Sequence, residues 1–527
     1  MVVKRTYVRR KVACKLAANK KSNVGIVIAG LLLSILMASM DNTIVATAMG
    51  NIVAELGGLD KFVWVTSAYM VAEMAGMPIF GKLSDMYGRK RFFLFGIIMF
   101  MAGSVLCGTA GSITELALFR AVQGIGAGAM MPVAFTIMFD AVPLESRGKM
   151  GGMFGAVFGM SSIFGPLIGA YITDNFAWEW VFYINLPLGI IALCMIGFFY
   201  KESMEHSKQP IDWYGAATLI GAIVCLMFAL ELGGKTYAWD SVQILGMFAG
   251  FAVLVVTFLI VETKVQEPII SYALFKNRLY STSILSALFS GAAFIVASVF
   301  IPIFIQGVLG GSATNSGLVL LPMMLGTVVT ATSGGFLMTK MPYRNIMVAT
   351  FIILVIGSIL TTTLTADSSR FIVTIYMILI GLGIGASFSV LGNTAIHGLP
   401  ARQRGTASST LNFIRSLGMT IGITIYGIVQ SNLFTSKMTD AFAAGGQAAP
   451  EGNMQFKDPR EILAPEARDQ IPPEVLDKIV HSLAGSIVGT FAWAIIPAIL
   501  ALLVSFFMGR SKLDPNADME QQSYGGH

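Results

Sequence analysis

Apolar runs separated by short polar stretches repeat along the whole chain. Most runs hold about 20 residues, the length a helix rising 1.5 Å per residue needs to cross a ~30 Å hydrocarbon layer. The pattern predicts fourteen apolar helices, at about 24–49, 62–80, 92–110, 113–138, 151–173, 180–200, 213–232, 242–262, 280–307, 316–339, 346–364, 371–396, 406–432 and 484–508. Two longer polar stretches interrupt it, 201–212 and 433–483. The second is rich in Pro, Glu and Asp and is expected to be an external loop ending in a surface helix at Pro473–Leu483. The first run follows a basic segment, as in a signal peptide. It is too long for such a core and lacks a small-residue cleavage pattern, so it reads as a retained membrane helix.

Composition excludes the soluble alternatives. Of 527 residues, 55% are hydrophobic and 12% charged, with mean hydropathy +0.74. A soluble chain carries about 25% charged residues, so there is too little charge here for the surfaces of a soluble enzyme, a nucleic-acid binder or a disordered chain. The net charge of +6 is spread over short loops and marks topology. With the N-terminus placed in the cytoplasm, 25 of the 35 Lys and Arg fall on the cytoplasmic side and eight outside, five of these in 433–483. Long translocated loops count little in this bias, so both termini are expected in the cytoplasm. Cys14, Cys107, Cys194 and Cys225 have no metal or disulfide spacing and read as small apolar filler.

The chain repeats internally. A shift of 257 residues places Gly124, Gly126, Gly128, Ala129, Pro143, Arg147, Gly148 and Gly165 on Gly381, Gly383, Gly385, Ala386, Pro400, Arg404, Gly405 and Gly422. A glycine-ridged helix, a P-x-x-x-R-G loop and the next helix thus occur twice. Parallel repeats of this kind mark transporters with two six-helix halves. The expected organisation is a tail 1–23, a first bundle 24–200, a linker 201–279 carrying two inserted helices, a second bundle 280–508 and a tail 509–527.

Soluble-type motifs fail. Gly233-Gly234-Lys235-Thr236 ends like a phosphate loop, but Ala229 stands where that motif needs Gly. No Ser/His/Asp set, metal cluster or cofactor motif is visible, so no enzyme is expected. The ionisable residues inside helices carry more, because each costs at least ~2.5 kcal/mol in the membrane. Asp41 and Arg120 both sit roughly 12 Å below the outer surface by residue count and could pair across a central cavity. Glu73 shares a helical stripe with Thr66, Tyr69 and Met77, which points it towards that cavity. Arg415 lies mid-helix. Two readings stand for these charges: ion pairs that fix helix register, or proton exchange by a carboxylate reached from an aqueous vestibule.

Two further features are structural or mechanical. In Gly81–Arg91, Gly81 and Gly88 allow a close approach and a tight turn, Asp85 can cap a helix end or accept from a basic partner, and Arg89, Lys90 and Arg91 would anchor the loop at the lipid surface. In the fifth helix, Gly155, Gly159, Gly165 and Gly169 with Pro166 allow close packing and a bend.

Together these residues resemble the fourteen-helix branch of the drug:proton antiporters of the major facilitator superfamily, over nearly the whole chain. The loop signature is matched from Gly81 to Arg91, with Met86 where a basic residue is common. R-x-x-Q-G-x-G is matched by Arg120, Gln123, Gly124 and Gly126, and the antiporter motif by Gly152, Gly165, Pro166 and Gly169, with Ser161 and Ala170 replacing glycines. D-x-T-I-V stands as Asp41 to Val45, with Ala46 and Gly50 where Asn and Pro are usual. Trp178-Glu179-Trp180 through Asn185 and Pro187 matches a further element, with Glu179 for Arg. The resemblance implies an all-α major facilitator fold of two six-helix bundles plus two extra helices. It also implies proton-linked and substrate-linked roles for Asp41 and Arg120, a latch at 81–91 and a hinge in the fifth helix. Glu73 lies outside these signatures. The function expected is efflux of hydrophobic, cationic small molecules from a monomer in the plasma (inner) membrane, driven by protons without a cofactor, with lipids but no nucleic acid as partners. The alternatives are a dedicated exporter of one metabolite, antibiotic, siderophore or lipid, a nutrient:proton symporter, and a non-transporting sensor.

Overall fold

The computed structural model describes residues 23–57, 61–142, 147–202, 210–234, 236–311, 313–443 and 472–513. Residues 1–22 with Cys14, residues 514–527, Pro143, Lys235 and the middle of the 433–483 stretch lie outside the described residues. The long helices are α1 (Val24–Leu56), α2 (Val63–Tyr87), α3 (Arg89–Cys107), α4 (Ile113–Ala141), α5 (Arg147–Asn175), α6 (Asn185–Phe199), α7 (Trp213–Leu232), α8 (Val242–Lys264), α9 (Arg278–Ile303), α10 (Ala313–Leu337), α11 (Tyr343–Thr361), α12 (Arg370–Ile396), α13 (Ala401–Ala443) and α14 (Pro473–Phe506). A one-turn helix, Trp180–Tyr183, leads into α6. Among the described residues there is no strand, only an isolated bridge between Gly233 and Tyr237. Twelve stretches are long and apolar enough to cross a bilayer, again among the described residues. α2, which carries Glu73, Lys82 and Asp85, and the glycine-rich α5 fall outside that set.

The repeat is visible in the packing. In the first half α4 lies against α2 and α3, and α1 against α5 and α6; in the second, α12 lies against α10 and α11, and α9 against α13 and α14. Glycines allow the closest of these approaches. A Cβ at Gly124, Gly126 or Gly128 would strike the backbone of Tyr69, Phe100 or Glu73. At Gly381, Gly383 or Gly385 it would strike Met323, Leu354 or Thr327. Without a hydrophobic drive between helices in lipid, such small-residue ridges are what let backbones meet. Between the halves α2 packs on α13 and α5 on α10, the two equivalent pairs. The inserted α7 and α8 pack on each other, and α7 lies on the flank of α2, where Trp64 meets Phe228 edge-on at 4.7 Å.

The reading of 433–483 as loop with a separate surface helix needs correction. α13 continues to Ala443, and Pro473 begins α14 itself. Hydropathy falls past Gln430, but an apolar stripe persists: Phe434, Met438 and Phe442 at i, i+4 and i+8 are buried, as are Ile479 and Leu483 opposite. Lys478 lies over the Phe442 ring at 5.1 Å. Helix–helix packing therefore extends both helices beyond their apolar spans.

Lys82 of α2 forms an ion pair with Glu267, just after α8, at 2.7 Å. Both side chains are partly exposed, so Glu267→Ala is expected to change the thermal stability of the purified protein by under ~1 kcal/mol. A larger loss in a detergent melt would mean that the inserted pair is held chiefly there.

Candidate functional site

Asp41 on α1 and Arg120 on α4 are both 0% exposed and form an ion pair through Arg120 Nη1 and Asp41 Oδ2. Asp41 Oδ1 also accepts from Gln123 Nε2 and Asn185 Nδ2, both at 2.8 Å. Gln123 Nε2 donates to Ser104 Oγ at 2.8 Å and its Oε1 accepts from Arg120 Nη1 at 2.7 Å. The remaining guanidinium N–H groups reach Asn42 Oδ1 at 3.1 Å and the Val65 carbonyl oxygen at 3.3 Å. The Tyr69 ring covers the guanidinium at 4.2 Å. Side chains of α3, α4 and α6 thus form one network around a single α1 carboxylate, whose two oxygens both accept, while Asn185 Oδ1 is buried without a partner among the described residues. Such a buried pair is tolerable because its lone pairs and protons are used.

The expectation that Asp41 opens to an aqueous vestibule is not met in this conformation; packing by four helices seals it. Tyr69 and Met77, expected to face a cavity, are buried as well. Glu73 differs. Its carboxylate is half-buried and has no hydrogen bond or ion pair among the described residues. Its neighbour Met74 accepts a hydrogen bond from Thr420 Oγ1 of α13 at 3.7 Å, so Glu73 lies beside the seam between the halves. Arg415 on α13 is also on that helix pair. Nη2 donates to the Ser387 carbonyl oxygen at 3.1 Å and no carboxylate meets it among the described residues.

The 81–91 segment ties the two halves together. Asp85 accepts from the backbone N–H groups of Gly405 and Thr406 on α13 at 2.9 and 2.7 Å, and from Arg89 Nη2 at 3.1 Å. Gly81 lies so close to α13 that a Cβ there would be 2.1 Å from Ser409 Oγ. Gly88 has φ +111°, which closes α2 and opens α3 in a backbone region that glycine favours. The lipid-anchor reading of Arg89 and Lys90 is corrected. Arg89 is 0% exposed between Asp85 and Asp140, because two acids supply its counter-charge inside the protein. Lys90 Nζ donates to the carbonyl oxygens of Gly197 and Tyr200, each at 2.7 Å, at the end of α6. Arg91 is exposed. Burial pushes the Tyr200 phenol up to about 12, so it stays neutral beside these cations.

In α5, the helix runs through Pro166. A Cβ at Gly165 would lie 1.9 Å from Thr43 Oγ1, and one at Gly169 would lie 2.1 Å from Thr47 Oγ1. The motif therefore presses α5 onto α1 within two residues of Asp41. Thr43 Oγ1 donates to the Ser161 carbonyl oxygen at 3.0 Å across the same contact. Gly155 and Gly159 lie in α5; their surroundings are outside the described residues.

Two participants, Ser104 and Asp140, escaped the sequence reading, and Asn185 matches a signature that gives it no role. Ser104 and Asn185 join the Asp41 network, and Asp140 ends α4 with ion pairs to Arg89 and to Arg404, the latter at 3.3 Å. The available signal was a polar residue inside an apolar run. For Asp140 it was an acid just before the P-x-x-x-R-G loop.

The sequence profile described as Major Facilitator Superfamily matches residues 31–423. Multidrug resistance protein 3 of Bacillus subtilis (strain 168) is 54% identical over 505 residues, covering 96% of this chain and 99% of that protein. The multidrug transporter protein MdtP of the same organism is 40% identical over 423 residues, covering 80% of this chain and 78% of that one. Among solved structures, the human organic anion transporter MFSD10 (TETRAN) superposes with a TM-score of 0.57 at 15% identity, covering 92% of this chain and 100% of that one. That likeness concerns the fold alone.

Proposed function

Because the chain belongs to the major facilitator superfamily, we propose that it is a multidrug efflux transporter of the fourteen-helix drug:proton antiporter branch, with all fourteen long helices crossing the membrane. The relatives named as multidrug transporters, one of them matched almost end to end, support the substrate reading. With the Lys and Arg bias setting the orientation, the latch at Asp85, Arg89, Asp140 and Arg404 closes the cytoplasmic side of a monomer in the cell membrane.

The observation that carries the coupling is Glu73, a carboxylate in a membrane helix, without a partner among the described residues, at the seam the halves must slide along. Ionised, it attracts a cationic, apolar substrate; protonated from outside, it loses that attraction and lets the substrate go. The carrier then reorients, and the proton leaves inward as new substrate binds. One charge moving through 100 mV supplies ~2.3 kcal/mol, and a pH gradient adds to it. In this scheme the Asp41–Arg120 ion pair stays closed while the latch is shut, and α5 pressed on α1 carries the rearrangement that opens it.

Ethidium transport into inverted vesicles under an imposed pH gradient tests the scheme. Glu73→Gln mimics the protonated form, so gradient-driven uptake is expected to fall about tenfold or more, the scale of one lost charge interaction. An unchanged gradient-driven rate in Glu73→Gln would remove Glu73 from coupling.

A further inference from the structure

Among the described residues three arginines are almost wholly buried, and their surroundings differ. Arg89 sits between Asp85 and Asp140, and Arg120 sits against Asp41. Arg415 is 7% exposed and has no acid among the described residues. Among the described residues its guanidinium makes one hydrogen bond, to the Ser387 carbonyl oxygen, and its Nε is buried without an acceptor. Arginine stays charged in proteins, so the charge cannot be relieved by losing a proton. A buried charge left without a counter-ion is strongly unfavourable, and an apolar side chain of similar volume would remove that cost.

The surroundings have a consistent chemistry. The Phe388 ring lies 4.7 Å from the guanidinium, and Phe294 meets Phe388 edge-on at 6.2 Å. Both rings are only half-buried. The Ser387 hydroxyl is also buried without a partner among the described residues. Gly291 of α9 admits this turn of α13, since a Cβ there would be 2.6 Å from the Arg415 carbonyl oxygen. Both helices that build the site reach the other half: Gly392 of α12 abuts Phe139 of α4, and Thr420 of α13 meets Met74 of α2.

We propose that Arg415, walled by Phe388 and Phe294, binds the carboxylate of aromatic substrates in the second half. A carboxylate matches the planar guanidinium fork, supplies the missing counter-charge and brings a ring to the two phenylalanines. The hydroxyl of Ser387 adds a donor. This deepens the efflux reading and rests on it. Glu73 in the first half takes the cationic end, so a molecule carrying both charges would be held from both sides of the seam.

Rhodamine B and rhodamine B ethyl ester separate the two contributions, because they share a cationic aromatic core and differ in one carboxylate. Binding of each is measured by fluorescence anisotropy on the purified full-length protein. Arg415→Gln is expected to weaken rhodamine B about tenfold or more and the ester by less than about twofold. Arg415→Lys, which keeps the charge but not the fork, is expected to give an intermediate loss for rhodamine B alone. If Arg415→Gln does not purify as a monodisperse protein, the Lys variant decides by the same acid-against-ester comparison. Equal weakening of both dyes, or no change in either, overturns the proposal and leaves Arg415 as a packing residue. Failure of the ester to bind the unaltered protein overturns the efflux reading itself, and this one with it.

Discussion

Asp41→Asn is expected to destabilise the protein by about 3–5 kcal/mol, the cost of stripping one partner from a buried ion pair. The substitution removes the counter-charge of a guanidinium that is 0% exposed, while Arg120 remains charged. The new amide would also turn donors towards Gln123 Nε2 or Asn185 Nδ2, which now donate to Asp41 Oδ1. Transport should be lost with it, since α1 pairs with α5 two residues away at Thr43 and Gly165. Thermal melts in detergent measure the loss. The double variant Asp41→Asn/Arg120→Gln decides its origin. If an uncompensated charge is responsible, removing Arg120 as well should recover a large part of the stability but none of the gradient-driven transport. A double variant as unstable as the sum of the two single ones would mean that the network counts only as packing.

Gly405→Val is expected to open the latch. A Cβ at Gly405 would lie 2.4 Å from Asp85 Oδ1 and 2.8 Å from Oδ2, so the carboxylate must leave the backbone N–H groups of Gly405 and Thr406. Arg89 then keeps Asp140 but loses its second acid. Hydrogen bonds to a charged group contribute about 1.5–3 kcal/mol each. Losing two of them should shift the balance between closed and open states by at least ~10-fold. Overall stability should change less, because the open state keeps the packing within each half. Ser409→Cys reports the shift, since Ser409 is buried against Gly81. In a background without other cysteines, its labelling by a charged thiol reagent should accelerate about tenfold or more in Gly405→Val, with a matching drop in ethidium transport. Unchanged labelling would show that the latch does not hold this interface.

Much of the site was legible in the sequence, one residue at a time. Asp41 and Arg120 stood out because ionisable groups inside apolar runs need a reason, and equal depth suggested that they meet. The repeat pointed to Gly405 as the counterpart of Gly148, but nothing in that alignment says that Asp85 would accept from it. Arg89 looked like an interfacial anchor because it sits in a basic cluster. It is buried because Asp140, fifty-one residues further on, comes to it. The end of α13 was drawn too early because hydropathy averages over all faces of a helix, whereas Phe434, Met438 and Phe442 need only one apolar face and a partner.

Sequence alone determined the class of this protein: membrane helices repeated in two halves, ridged with glycine where backbones must approach. Lipid leaves a spanning segment no external hydrogen-bond partner, so a run of about 20 apolar residues has one structure available. Tertiary structure alone decided which charges are satisfied. Among the described residues Arg120 finds an acid and Arg415 does not, although both are arginines midway along apolar helices. The difference lies in which distant helices bring a carboxylate within about 3 Å, and local pattern carries no record of that.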